Sequence, residues 1–184
     1  MRSRSILAAL FIATTALGAA VVPSQAAAFR LRSADFANGG NIPVSHEGVY
    51  PAGGCKGKAV PLTLKWSGAP AGTNGYALTM IDPDVKQVPG GFVHWVAYNI
   101  PATAHTIGPK VSYTYSKGTM GAGIVGYFGP CPPTTDPAHH YHLTLYALNI
   151  AHVAGAHLTN AKLQAALSGH ILGKATLVGL FKHR

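Results

Sequence analysis

Apolar residues recur at every second position through much of this chain, the period of strands whose side chains alternate between two faces. Phe29 and Leu31 alternate with Arg30 and Arg32, which predicts a first strand over 29–36. The clearest run is 60–66, with Val60, Leu62, Leu64 and Trp66 on one face and Thr63 and Lys65 on the other. Residues 76–81 and 92–100 read as two further strands, closed by Asp82-Pro83-Asp84 and by Pro101, because proline cannot donate to a ladder. In the second of these, Phe92, His94, Val96 and Tyr98 share a face opposite Val93, Trp95, Ala97 and Asn99. Further on, His139, Tyr141, Leu143 and Leu145 fall on one face, and His140, His142, Thr144 and Tyr146 on the other. Shorter strands are expected at 42–46 and 111–115, and 175–181 is apolar without a decisive period. Helical spacing appears only over 160–172: Leu163, Ala166, Leu167, His170 and Ile171 form one stripe, with Thr159 as N-cap and Gly173 as stop.

Short strands between Gly/Pro turns, with one late helix, predict an all-β fold, an antiparallel β-sandwich of Greek-key type with a small C-terminal helix. A length of 184 residues suits one domain. The first 28 stand apart. Arg2 and Arg4 precede an apolar run from Ile6 to Val22, followed by Pro23-Ser24-Gln25-Ala26-Ala27-Ala28, the charged, apolar and small-residue order of a secretory signal. A retained membrane anchor is the other reading of the same run. The expected division is a signal over 1–28 and a single domain over 29–184, with a mature chain that is secreted or periplasmic and has no transmembrane segment.

Charge changes the picture little. There are 14 basic residues against 5 acidic ones, and a basic surface attracts anions. The cations are scattered, however (Arg30, Lys58, Lys110, Lys162, Lys182), with no interleaved aromatics, which argues against nucleic acid; solubility alone also accounts for them. Cys55 and Cys131 form either one disulfide or two separate buried thiols. No C-x-x-C supports a redox motif or zinc ribbon. His140-x-His142 places two imidazoles on one strand face, either a chelating pair or a solvated surface. No G-x-S-x-G and no nucleophile–base pair is evident, so neither catalysis, a cofactor nor a metal is expected.

The stretch 126–148 holds the candidate chemistry. Gly126, Gly129, Pro130, Pro132 and Pro133 make a stiff, turn-rich segment that runs into His139-His140-Tyr141-His142. An imidazole and a phenol then sit at the end of a buried strand face beside that loop, as in a small polar pocket at a sheet rim. Together with the blocks 76–84 and 92–101, this stretch resembles the phosphatidylethanolamine-binding protein family, which includes the Raf kinase inhibitor proteins, and in particular its bacterial branch. The resemblance implies a sandwich whose small pocket accepts phosphate or a phosphorylated headgroup. It assigns Asp82 and His94 from the first blocks, Gly129, Pro132 and Pro133 from the loop, and His139 and Tyr141 from the last strand. Imidazole, phenol and loop N–H groups all donate to an oxyanion, whereas ionised Asp82 does not and is expected to orient His94 or meet a ligand's ammonium. Val85-Lys86, His140 and the 56–61 segment depart from the family's usual residues. Family members also inhibit proteases or kinases through protein contacts, so a protease or another envelope protein is the alternative partner. Without the resemblance, His94 reads as a core histidine, Asp82-Pro83-Asp84 as a turn, and Tyr141 and Trp95 as packing.

Overall fold

The alternating runs become two principal sheets and a small ribbon in the computed structural model, which describes residues 27–183. The strands are β1 (Arg30–Ser33), β2 (Val49–Tyr50), β3 (Cys55–Lys56), β4 (Leu64–Ser67), β5 (Gly75–Asp82), β6 (Phe92–Pro101), β7 (Thr106–Ile107), β8 (Ser116–Lys117), β9 (His139–Leu148) and β10 (Ile171–Phe181); the helix is α1 (Asn160–Ala166). The larger sheet runs β10-β9-β5-β6-β8 and the smaller β1-β4-β7, while β2 pairs with β3; every ladder is antiparallel. The protein is thus mostly β with one short helix. Except for Ala27 and Ala28, the expected signal lies outside the described residues. Among the described residues, no helix is long and apolar enough to cross a membrane.

Two faces of the larger sheet are buried for different reasons. One carries Leu78, Met80, Trp95, Tyr141, Leu143 and Leu145, which cluster with Leu31, Leu64, Trp66 and Ile107 of the smaller sheet. The other carries Ala77, Val96, Tyr98, Tyr146 and Leu148, which cluster with Leu163 and Leu167 at the helix. Strands covered on both sides read as near-continuous apolar runs, which is why 76–81 and 145–148 alternate less clearly than 60–66.

Three expectations about elements are corrected. Residues 42–46 are not a strand: Pro43 has no N–H, and after one bridge at Asn41 the chain turns through a 3-10 segment at Val44–His46. Residues 111–115 have no ladder partner; Tyr113 and Tyr115 pack on the core, and pairing starts only at Ser116, opposite Tyr98. The helix ends at Ala166, because Gly169 takes φ +78° and reverses the chain, so Ile171 and Leu172 enter β10. Thr159 does cap it, accepting from the Lys162 N–H at 3.3 Å.

The faces expected along β6 are corrected as well. Met80 pairs with Trp95 but Ile81 with Val93, so His94 is an extra residue on β6, a β-bulge. A second shift, between Tyr76–Ile100 and Leu78–Ala97, leaves Asn99 at φ +57°. His94 therefore leaves the face of Val96 and Tyr98 and joins Phe92 and Tyr141 on the other. The outer edge of β10 is covered by 38–42: Gly39 and Ile42 N–H groups donate to Val178 and Leu180 carbonyls, and Leu180 N–H donates to Gly40. Val178 N–H donates to the Asn38 side chain at 2.9 Å.

Candidate functional site

Three adjacent strands place the site. β5 ends at Asp82, while β6 and β9 begin beside it, so the antiparallel order β9-β5-β6 gathers Asp82, His94, His139 and Tyr141 at one end of the sheet. They line a cavity of about 440 Å³ with Phe92, Phe128, Pro132 and Pro133. Val49, Tyr50 and Ile124, each more than half exposed, form its apolar rim.

His94 is fixed at both ends. Its Nδ1–H donates to the Phe128 carbonyl at 2.9 Å, and its own carbonyl accepts from the Phe128 N–H at 2.9 Å. The rings of Phe92, Phe128 and Tyr141 surround the imidazole, with centroids at 4.9, 5.7 and 5.1 Å. This burial lowers its pKa to about 4, against the smaller opposing effects of the Phe128 carbonyl and the Asp82 charge. At neutral pH the ring is therefore uncharged, and with its proton on Nδ1 the Nε2 is an acceptor rather than the expected donor.

Asp82 does not orient His94. Its Oδ2 accepts from His139 Nδ1 at 2.7 Å, and its Oδ1 accepts the Asp84 N–H at 2.8 Å. His139 Nε2 donates to Asp136 at 3.3 Å. Burial works against the charge on His139, but the two carboxylates outweigh it and raise the pKa. The ring is held between two acids that favour its charged form. Both of its nitrogens are occupied, so it contributes charge rather than a free N–H.

Tyr141 is the reverse case. The side chain is fully buried, and its hydroxyl has no hydrogen-bond partner among the described residues. Asp82 and the Cys131 backbone approach the phenol without reaching hydrogen-bond geometry; burial first, then the Asp82 charge, drives its pKa up and keeps it a neutral donor. An unpartnered buried hydroxyl is costly, so its presence at a cavity wall points to an external partner.

The loop residues divide. Pro132 and Pro133 line the cavity with Cys131, which is bonded to Cys55 across Cα atoms 5.9 Å apart. Gly129 is not in the wall: a Cβ there would lie 2.0 Å from the His46 carbonyl, so this residue lets the loop press against 46–48. At the mouth, Asp84 accepts from the His140 backbone at 2.7 Å and from its Nδ1 at 2.8 Å. Burial raises the Asp84 pKa, but these bonds dominate and leave it lowered. Sequence reasoning missed Phe128, whose contribution is a backbone carbonyl and a stacked ring. It also gave Asp136 no place in the pocket, although its position three residues before His139 was the available signal.

A β-sheet protein with a single-sheet-end cavity, an apolar rim and an unpaired phenol and imidazole nitrogen inside is a small-ligand binding protein in form. The chain belongs to the phosphatidylethanolamine-binding protein family, whose model matches residues 32–182, and to its bacterial branch. It is 32% identical to the Escherichia coli protein YbcL over 169 residues, 88% of each chain. It is also 36% identical over 165 residues to LppC of Mycobacterium tuberculosis, named as a candidate lipoprotein, covering 89% of this chain and 77% of that one. The crystal structure of YbcL, described as a member of the mammalian family, superposes with a TM-score of 0.78 at 28% identity, over 86% of this chain and all of that one. The Chlamydia trachomatis homologue CT736 gives 0.75 at 29% identity, over 85% of this chain and 99% of that one.

Proposed function

We propose that this is a non-catalytic binding protein of the cell envelope, secreted or periplasmic, whose cavity takes a phosphate-class headgroup. The unpartnered Tyr141 hydroxyl is the observation that carries the reading. Beside it, His94 Nε2 supplies an acceptor. One donor and one acceptor match the P–O⁻ and P–O–H of a singly charged phosphate, and a dianion would find no second donor among these side chains. No nucleophile adjoins these groups, which supports binding without chemistry. The Greek-key sandwich belongs to this reading too: in β9-β5-β6-β8 the fourth strand of the series returns beside the first.

Titration calorimetry with inorganic phosphate and with phosphoethanolamine tests the proposal. Tyr141→Phe should weaken binding about tenfold, the value of one charge-assisted hydrogen bond. His142→Ala, on the opposite strand face, should leave it intact. No binding of either ligand at millimolar concentration would favour a second reading, inhibition of a protease or other envelope protein through surface contacts. The exposed apolar rim of Val49, Tyr50 and Ile124 is the observation that favours it.

A further inference from the structure

We propose that reduction of the Cys55–Cys131 disulfide turns the corner of the molecule behind the cavity into a zinc site, with Cys55, Cys131, His183 and Glu47 as its ligands. The ligand atoms of Glu47, Cys55 and His183 all lie within 4.8 Å of one another, and all three residues are buried. His183 Nδ1 is 3.8 Å from Cys55 Sγ, and its Nε2 is 3.6 Å from Glu47 Oε1. The other Glu47 oxygen accepts the Lys56 N–H at 3.3 Å, a second contact that holds the carboxylate in place. The four residues come from the end of the 3-10 segment, from β3, from the cavity loop and from the chain beyond β10. Their meeting owes nothing to local sequence.

In the disulfide the sulfurs carry no charge, and the donor set lacks its two strongest members. A dithiol reductant supplies what is missing: it gives two electrons and two protons, the S–S bond breaks, two thiols form, and the dithiol is left as its own disulfide. Zinc then displaces the two thiol protons to water. Two thiolates on a tetrahedral zinc stand about 3.8 Å apart, given Zn–S bonds of about 2.3 Å. Cα atoms 5.9 Å apart permit that separation. Two thiolates, an imidazole and a carboxylate form a closed four-ligand set of the structural kind, and thiolate donors select zinc over magnesium or calcium. Glu47 and His183 also line an open groove of about 860 Å³, which is the way in from solvent. The inference is independent of what the cavity on the other side of Cys131 binds.

The test uses the mature chain, freed of metal, in its disulfide form and after reduction with a phosphine, each dialysed against micromolar zinc. The reduced protein should hold about one zinc per chain and the disulfide form none. Cobalt in place of zinc should give a near-ultraviolet sulfur-to-metal charge-transfer band. His183→Ala and Glu47→Gln should each weaken zinc binding roughly tenfold or more, and His142→Ala, among the surface histidines, should not. Equal zinc in the two redox states, an absent cobalt–sulfur band, or undiminished binding by both variants would overturn the proposal. If His183→Ala does not fold, the unmutated protein still decides: bound zinc should slow re-formation of the disulfide, and an unchanged rate counts against the site.

Discussion

The neutral imidazole of His94 makes the protein sensitive to acid. A folded-state pKa of about 4 lies below the ordinary value of 6.5, so the unfolded chain takes up a proton that the folded one refuses. The stability this residue contributes is complete above pH 6.5 and is lost as pH falls toward 4, roughly 3 kcal/mol in all. His139 has the opposite sign: its raised pKa gives stability that is full below pH 6.5 and is lost as pH rises through the folded value. Urea denaturation of His94→Gln and of the unmutated protein at pH 7 and 4.5 should therefore converge in acid, and parallel losses would refute the assignment. Tyr141→Phe should raise the ligand-free stability by about 1 kcal/mol while it weakens phosphate binding, because an unsatisfied hydroxyl leaves the interior. Phosphoethanolamine affinity should fall about tenfold per pH unit above the second pKa of its phosphomonoester, about 6, since the complex keeps a proton between oxygen and Nε2. A calorimetric series between pH 5.5 and 8.5 measures this slope.

At the scale of elements, legibility followed the regularity of the backbone. β9 has no bulge within its pairing to β5, so its alternation told correctly which residues face inward: His139 and Tyr141 are buried, while His140 and His142 are exposed. β6 has two bulges, and each shifts the period by one residue, which no count along 92–100 reveals. The helix was overextended because Ile171 satisfies both a helical stripe and a strand facing the same cluster. Asp82 and His139 are distant in sequence, so only the strand order shows that they pair. Asn99 gives the test at this scale. It sits at φ +57°, donates to Ser116 and Val153, and accepts the Val153 N–H at 2.7 Å. Asn99→Ala should destabilise by about 2–3 kcal/mol through lost bonds and left-handed strain, and Asn99→Gly by about 1 kcal/mol less. Thermal denaturation of the two variants separates these contributions.

For the molecule as a whole, the largest single constraint is the covalent one. The disulfide joins residues 76 apart, and closing so long a loop contributes about 4 kcal/mol by the chain-entropy argument. Reduction in zinc-free buffer should lower the melting temperature by roughly 8–16 °C, read by calorimetry in both redox states. A different protection comes from the segment 38–42. A terminal strand in a sheet is normally an invitation to another copy of the same chain, which can add its own strand to the free N–H and C=O groups. Here the far half of β10 offers no such template, because Gly39, Gly40, Ile42 and the Asn38 side chain already occupy Val178 and Leu180. Copies of the chain that met at this edge would find unpaired β10 backbone toward Lys174, where each brings a like charge to the encounter.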